Sequence, residues 1–304
     1  MPKSGNGTHW RVFLKEAEAR LAQAGVANPA NEARRIIERA TGTSGAEYIL
    51  ELDSSATERG VGFFDMMLAR REAGEPLQYV LGVWGFRTLE LLVDQRVLIP
   101  RPETEEVVEV ALAEFDRATE AMPFPIHSPV MVDLGTGSGA IALSVAAERE
   151  GVAVWATELC ADAALVARAN LAGLGRAATR VRILEGSWFE PLPESLRGEV
   201  TLVVANPPYV APDDEVDPQV LAWEPHQALF AEDEGLADIA TIVAEAPNWL
   251  APQGVLVVEI APQQGDAALE LARQAGFESA ETRRDMSGRI RMLVARLRAH
   301  AQVI

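Results

Sequence analysis

Apolar residues in the first part of the chain recur at helical spacing. Phe13, Leu14, Ala17, Leu21 and Ala24 form one stripe, opened by a cap at Thr8 and closed by Gly25. Asn28-Pro29 supplies an N-cap and a first-turn proline for a second helix carrying Ala33, Ile36, Ile37 and Ala40. A third starts at Ser54 or Ser55, with Phe63, Phe64, Met67 and Leu68 inward. Trp84 to Leu91 alternates as a strand, and Val97-Leu98-Ile99 is expected to return beside it as a hairpin. Pro102 and Thr104 start a helix with Val107, Val108, Ala111, Leu112 and Phe115 on its buried face, and Glu103, Glu105 and Glu106 in its first turn suit the helix dipole.

From residue 129 the pattern changes to alternating strand and helix. Strands are expected at 130–134, 152–157, 181–184, 200–205 and 255–260, with two last β segments near 277–281 and 290–297. Helices are expected from about Ala140, over 163–171, over 236–250 and over 267–275. This order predicts an α/β fold, an open and mostly parallel sheet with helices on both faces, preceded by a helical bundle and joined to it by the hairpin. The boundaries fall at 1–82 for the helical domain, 83–100 for the hairpin linker and 101–304 for the α/β domain.

Composition narrows the function classes. The 304 residues carry a net charge of −18. Residues 1–100 hold 12 Lys/Arg and 13 Asp/Glu, a net of −1, whereas residues 101–304 hold 15 and 32, a net of −17. Such acidity argues against holding a nucleic-acid backbone by bulk charge. The one cysteine, Cys160, excludes an internal disulfide and a cysteine-based zinc site, and the scattered His9, His127, His226 and His300 suggest no metal centre. His226 is read as structural. No apolar run approaches the ~18 residues of a membrane span, and no signal peptide is visible, so a cytoplasmic setting is expected.

Two motifs carry chemistry. Asp133-Leu134-Gly135-Thr136-Gly137-Ser138-Gly139 follows an apolar strand and opens a helix, where glycines let the backbone turn tightly against a ligand. Glu158 ends the next strand, the position from which an acid binds a ribose diol. Asp133 and the Gly-x-Gly-x-Gly form, with Ala140 following, favour S-adenosylmethionine over a dinucleotide. Asn206-Pro207-Pro208-Tyr209 then sits at the C-terminal end of a parallel strand. Its prolines fix φ and remove donors, leaving the Asn206 side-chain oxygen and a backbone carbonyl as stiff acceptors for a planar –NH₂ group, with Tyr209 as a flat face.

Together these residues resemble the class I S-adenosylmethionine-dependent (Rossmann-like) methyltransferases that act on planar amino groups. Three further segments narrow the resemblance to the HemK/PrmC family of peptide chain release factor glutamine methyltransferases: Pro76-Leu77-Gln78-Tyr79-Val80-Leu81-Gly82, Leu98-Ile99-Pro100-Arg101-Pro102-Glu103-Thr104-Glu105 and Trp223-Glu224-Pro225. The resemblance covers nearly the whole chain and implies a helical substrate-binding domain at 1–82. It implies cofactor binding by Gly135, Thr136, Gly137, Ser138, Gly139, Glu158, Trp188 and Asn206. It implies substrate binding by Asn206, Pro207, Pro208 and Tyr209, with Asn206, Pro207 and Tyr209 catalytic. Relatives often carry an acid before the tryptophan, where this chain has Ser187. The implied reaction methylates the glutamine amide nitrogen in the Gly-Gly-Gln loop of class I release factors, releasing S-adenosyl-L-homocysteine. The expected partner is that protein alone, with no nucleic acid, membrane or metal, and a monomeric enzyme. The alternatives are an amino-group methyltransferase on adenine or guanine in DNA or RNA, with a basic patch near Arg283, Arg284, Arg289 and Arg291, and a catalytically silent binding module. Asp213, Asp214, Glu215 and Asp217 read either as a solvated loop or as a rim attracting a basic partner.

Overall fold

The structure, a computed structural model, describes residues 7–121 and 129–298. His127 and His300 lie outside them. The chain divides into two compact units: residues 1–83 with Pro218–Trp223, and the remainder.

The first unit is helical: α1 (Trp10–Gln23), α2 (Pro29–Thr41), α3 (Gly45–Glu51), α4 (Glu58–Glu72) and α5 (Leu77–Leu81). Its core joins Phe13, Ala17 and Leu21 to Ile36, Ile37, Phe64 and Leu68. Trp10, Phe13 and Phe64 form an aromatic group with centroids 5.4–6.3 Å apart. The sequence reading differs at the helix ends. The N-cap position of α1 is His9, not Thr8, and its side chain makes no capping bond. Ala24 and Phe63 are exposed. Thr57, not Ser54 or Ser55, caps α4, its hydroxyl accepting from the Gly60 N–H at 3.1 Å. A side-chain acceptor at the N-cap satisfies a donor that the first turn leaves free, so the cap belongs where that bond forms.

A two-stranded sheet follows, β1 (Val83–Phe86) with β2 (Leu89–Leu92). The expected single strand over 84–91 is therefore the hairpin itself, and Val97–Ile99 is not a strand. The turn hides because Arg87 takes φ +51 in place of a glycine. Its guanidinium holds that conformation through Glu148 at 2.6 Å and the Glu105 carbonyl at 3.0 Å.

The second unit continues with α6 (Pro102–Ala121), β3 (Val130–Leu134), α7 (Ala140–Glu148), β4 (Ala153–Glu158), α8 (Ala161–Ala172), β5 (Val181–Glu185) and β6 (Val200–Ala205). After α9 (Pro218–Trp223), which counts with the first unit, come α10 (Glu232–Gly235), α11 (Ala237–Glu245), β7 (Leu250–Glu259), α12 (Gly265–Gln274), β8 (Ser279–Arg284) and β9 (Ile290–Arg296). Helix α11 stops earlier than expected because Pro247 follows within a 3-10 turn. The strands form one seven-stranded sheet, ordered β5-β4-β3-β6-β7-β9-β8. Its first five strands are parallel, and β9 is antiparallel to both β7 and β8.

Alternation along the central strands builds two cores. Met131, Leu202, Val204, Val255 and Val257 face α6 and α7 residues such as Val107, Ala111, Leu143 and Val145. Val132, Leu134, Val203, Ala205, Leu256 and Val258 face Ile239, Ile242, Ala268 and Ala272 of α11 and α12. Strand β6 is buried at all six positions, which is why it is apolar at all but Thr201.

The order reverses between β3 and β6: β4 and β5 continue to one side, β7 to the other. Leu134 and Ala205 are paired in register, so the glycine turn and Asn206 leave neighbouring strands at the same edge. Open parallel sheets bind ligands at such a switch point.

Candidate active site

A cavity of about 260 Å³ opens at that edge, within the second unit. Among the residues singled out by sequence, Gly135, Thr136, Gly137, Ser138, Glu158, Trp188, Asn206 and Pro208 line it; Gly139, Pro207 and Tyr209 do not.

The glycine turn is held from below and behind. The Gly135 and Thr136 N–H groups donate to the Thr157 carbonyl at 2.9 and 3.0 Å. Gly135, Gly137 and Gly139 all adopt positive φ, at +72, +56 and +86. A Cβ on Gly135 would lie 3.1 Å from the Trp188 ring, and one on Gly139 would lie 2.9 Å from Leu143. The positive φ values favour glycine at all three positions, and at Gly135 and Gly139 a side chain would also meet its neighbours.

Two carboxylates brace the turn. Asp133, fully buried, accepts at Oδ2 from the Thr136 hydroxyl at 2.6 Å and the Ala142 N–H at 3.0 Å, while Oδ1 is buried without a partner. Burial pushes its carboxyl up to about 7, aided by the Glu158 charge and opposed by those two bonds. Because the folded pKa exceeds the unfolded one, the folded state keeps this proton longer as pH rises. The group's contribution to stability is present below the ordinary carboxylate range and is lost as pH climbs to about 7. The melting temperature of wild type relative to Asp133→Asn is therefore expected to fall between pH 4 and 7, and parallel curves would contradict this assignment.

Glu158, at the end of β4, accepts from the Gly137 N–H at 2.8 Å and the Cys160 N–H at 2.9 Å. It thus ties the glycine turn to the next strand, in addition to facing the cavity. Trp188 sits at φ +41 with its ring over Gly135, and its indole N–H donates to Asp238 of α11, another lining residue. Burial raises the Asp238 carboxyl and the indole bond opposes that shift.

The Asn-Pro-Pro-Tyr turn is tied to three other elements. The Asn206 Nδ2 donates to the Thr104 hydroxyl oxygen at 3.3 Å, and that hydroxyl donates to Glu259 Oε2 at 2.8 Å. The Tyr209 hydroxyl donates to the other Glu259 oxygen at 3.1 Å. Glu259 is 1% exposed; burial raises its pKa against the opposing Thr104 bond, Arg291 charge and Tyr209 bond. Tyr209 is also pushed up, by burial first and then by the Glu259 charge. Gln264 Nε2 donates to the Tyr209 carbonyl at 3.0 Å and to the Glu234 carbonyl at 3.2 Å. The Tyr209 ring packs on the apolar core rather than lining the cavity.

Two sequence segments meet directly. The Arg101 guanidinium donates to Glu224 at 2.5 Å, and the other Glu224 oxygen accepts from the Ile99 N–H at 3.0 Å. Glu224 is buried, so this bidentate carboxylate clamps Ile99-Pro100-Arg101 to Glu224-Pro225, both at the cavity wall. Sequence reading missed Glu259, Gln264 and Asp238 as site residues. Glu259 carried a signal, being an acid at the C-terminal end of the apolar strand beside β6.

The expected basic patch does not stand free. Arg283 pairs with Glu281, Arg289 with Glu103 and Asp285, and Arg291 with Asp285, while Arg284 donates to the Gly288 carbonyl. Among the described residues no cluster of His, Cys, Asp and Glu could hold a metal ion, and no helix is long and apolar enough to cross a membrane.

Comparison with known proteins matches residues 13–82 to the PrmC N-terminal domain and 111–224 to the methyltransferase small domain. The release factor glutamine methyltransferase of Cereibacter sphaeroides is 37% identical over 94% of this chain and 98% of its own length. That of Burkholderia pseudomallei is 41% identical over 84% and 88%, and that of Escherichia coli 35% over 95% and 98%. The catalytic domain of hMettl16, solved with the MAT2A 3′UTR hairpin 1, shares the fold at TM-score 0.55 and 17% identity, covering 77% of this chain and 82% of that one. The chain therefore belongs to the release factor glutamine methyltransferase family of S-adenosylmethionine-dependent enzymes.

Proposed function

We propose that this protein methylates the side-chain amide nitrogen of the glutamine in the Gly-Gly-Gln loop of class I peptide chain release factors. The observation that carries the reading is the placement of an intact Asn-Pro-Pro-Tyr turn beside the glycine turn, at paired strand ends and with Asn206 and Pro208 on the same cavity, in a chain of this family. The glycines leave room for a ligand, and Glu158 offers a carboxylate to a ribose diol. These features fit S-adenosylmethionine, held by Gly135 to Ser138, Glu158 and Trp188. When bound, it supplies an electrophilic methyl group on a sulfonium.

The chain's own residues aim the acceptor. An amide nitrogen is a poor nucleophile because its lone pair is delocalised, so orientation matters more than basicity. The Asn206 Oδ1 and the Pro207 carbonyl take the two N–H bonds of the glutamine amide and direct its nitrogen toward the methyl donor. Positioning of this kind supplies roughly 7–11 kcal/mol in well-oriented reactions. The same oxygens favour the positive charge that develops on nitrogen. Tyr209 stiffens the turn through its hydroxyl and carbonyl. Glu158→Ala is expected to weaken cofactor binding about 10- to 100-fold, the worth of a charge-assisted bond; titration calorimetry with an unchanged dissociation constant would contradict the ribose assignment.

The helical unit fits a protein-docking role, since Phe63, Met66, Ile49 and Leu50 are exposed there. The unpaired Cys160 suits a reducing cytoplasm. Transfer to adenine or guanine has less support, because three of the four arginines that would form a patch, Arg283, Arg289 and Arg291, face carboxylates. Incubation with radiolabelled S-adenosylmethionine and either release factor or nucleic acid separates the readings: label in the release factor supports this one, and label only in nucleic acid overturns it.

A further inference from the structure

We infer that Thr104 and Glu259 are positioning residues that fix which end of the Asn206 amide faces the cavity. The inference rests on the function proposed above. It starts from what each group can donate. Glu259 as a carboxylate only accepts, and its two oxygens take the Thr104 and Tyr209 hydroxyls at 2.8 and 3.1 Å. The Thr104 hydroxyl has one proton, spent on Glu259, so toward Asn206 it presents lone pairs. Asn206 must answer with its –NH₂, at 3.3 Å. Its Oδ1 is thereby the end left for a ligand in the cavity that Asn206 and Thr104 both line.

An unconstrained asparagine presents either end with similar ease. Turned the other way, it would offer a donor to a substrate –NH₂, and neither group could accept. The chain of bonds from Glu259 removes that state. The two anchoring residues are buried: Thr104 is 4% exposed and Glu259 1%. The groups facing Glu259 are Thr104 and Glu103 of α6, the Tyr209 hydroxyl and Arg291 of β9. Burial raises the Glu259 pKa and the Glu103 charge adds to that, whereas the two hydroxyls converging on its oxygens and the Arg291 charge favour the ionised, accept-only form on which the polarity depends. Glu259 and Arg291 do not line the cavity, and Thr104 acts through its bond to Asn206.

The test compares Thr104→Val, which keeps the shape and removes the hydroxyl, with Thr104→Ser, which keeps the hydroxyl. Thr104→Val is expected to lower kcat for release factor methylation on the order of 10- to 10²-fold. It should also weaken binding of unmethylated release factor, measured calorimetrically with S-adenosylhomocysteine present, while the affinity for S-adenosylhomocysteine itself stays within about threefold of wild type. Thr104→Ser should restore both within about threefold. A valine variant with wild-type kcat and release factor affinity overturns the inference, as does a serine variant as impaired as valine. Wild-type enzyme run in parallel keeps the two readings apart: transfer by wild type with no valine defect sinks only this inference, and no transfer by wild type sinks both.

Discussion

Replacing Asn206 with alanine is expected to lower methyl transfer on the order of 10²–10³-fold, the usual cost of deleting one preorganised hydrogen-bonding group at a reacting centre. Cofactor affinity should change far less. The reasoning is local. Pro207 restricts Asn206 to extended backbone, and the strand behind it is buried at every position, so the residue has little freedom to be replaced by a neighbour. Alanine removes the one side-chain acceptor of the turn and leaves the Pro207 carbonyl alone with two N–H bonds to satisfy. The substrate amide can then rotate, and its nitrogen no longer points in one direction. Pre-steady-state transfer rates and cofactor titration measure the two quantities separately. Near-normal turnover would remove Asn206 from the mechanism, whereas equal loss of transfer and cofactor binding would make it a cofactor residue.

The second large effect lies away from the cavity. Gly235→Ala is expected to destabilise the fold by about 2–4 kcal/mol and to slow transfer as well. Gly235 has φ +79 and follows Asp233 and Glu234, also left-handed at +53 and +56. A Cβ there would lie 2.2 Å from the Tyr209 carbonyl oxygen and 2.7 Å from the Gln264 amide nitrogen. Backbone cannot yield to that contact as a flexible side chain would. Either the α10 turn or the Asn-Pro-Pro-Tyr turn moves, and the Gln264 bond that holds Tyr209 is broken. A misplacement of about 1 Å can cost ~10²-fold in rate. Denaturant unfolding and transfer assays on the variant check both parts, and wild-type values in both would show that the two turns are not coupled.

How much of this was legible in the sequence follows from the range of the forces involved. Strand β6 and the glycine turn were legible because a mostly apolar run and closely spaced glycines are local signals. The helix starting at Pro102 was legible because proline, acids and apolar spacing agree within one turn. The hairpin was misread because its turn uses Arg87 at positive φ, held by Glu148 and the Glu105 carbonyl, and no local pattern announces that support. Helices α3 and α5 went unread because seven and five residues are too short for a period to emerge. The shell around Asn206 was invisible for a different reason. Thr104, Glu259 and Gln264 come from three separate elements, and only the sheet order brings them together. Tyr209 shows the consequence: its ring suggested a surface for the substrate, but its hydroxyl is engaged by Glu259 and its ring by the core.

The acidity of the chain also acquires a place. Several acids concentrated after residue 100 are partners rather than free surface: Glu224 holds Arg101, Glu114 holds Arg296, and Glu259 holds two hydroxyls. Asp213, Asp214 and Glu215, by contrast, are exposed beyond Tyr209.

The most direct test of the central claim is to incubate the full chain with S-adenosylmethionine and an unmethylated class I release factor, and to locate the product by peptide mass spectrometry. The account predicts one added methyl group on the side-chain nitrogen of the glutamine in the Gly-Gly-Gln loop, absent when that glutamine is replaced. A release factor left unmodified, or methylated at any other residue, would contradict it.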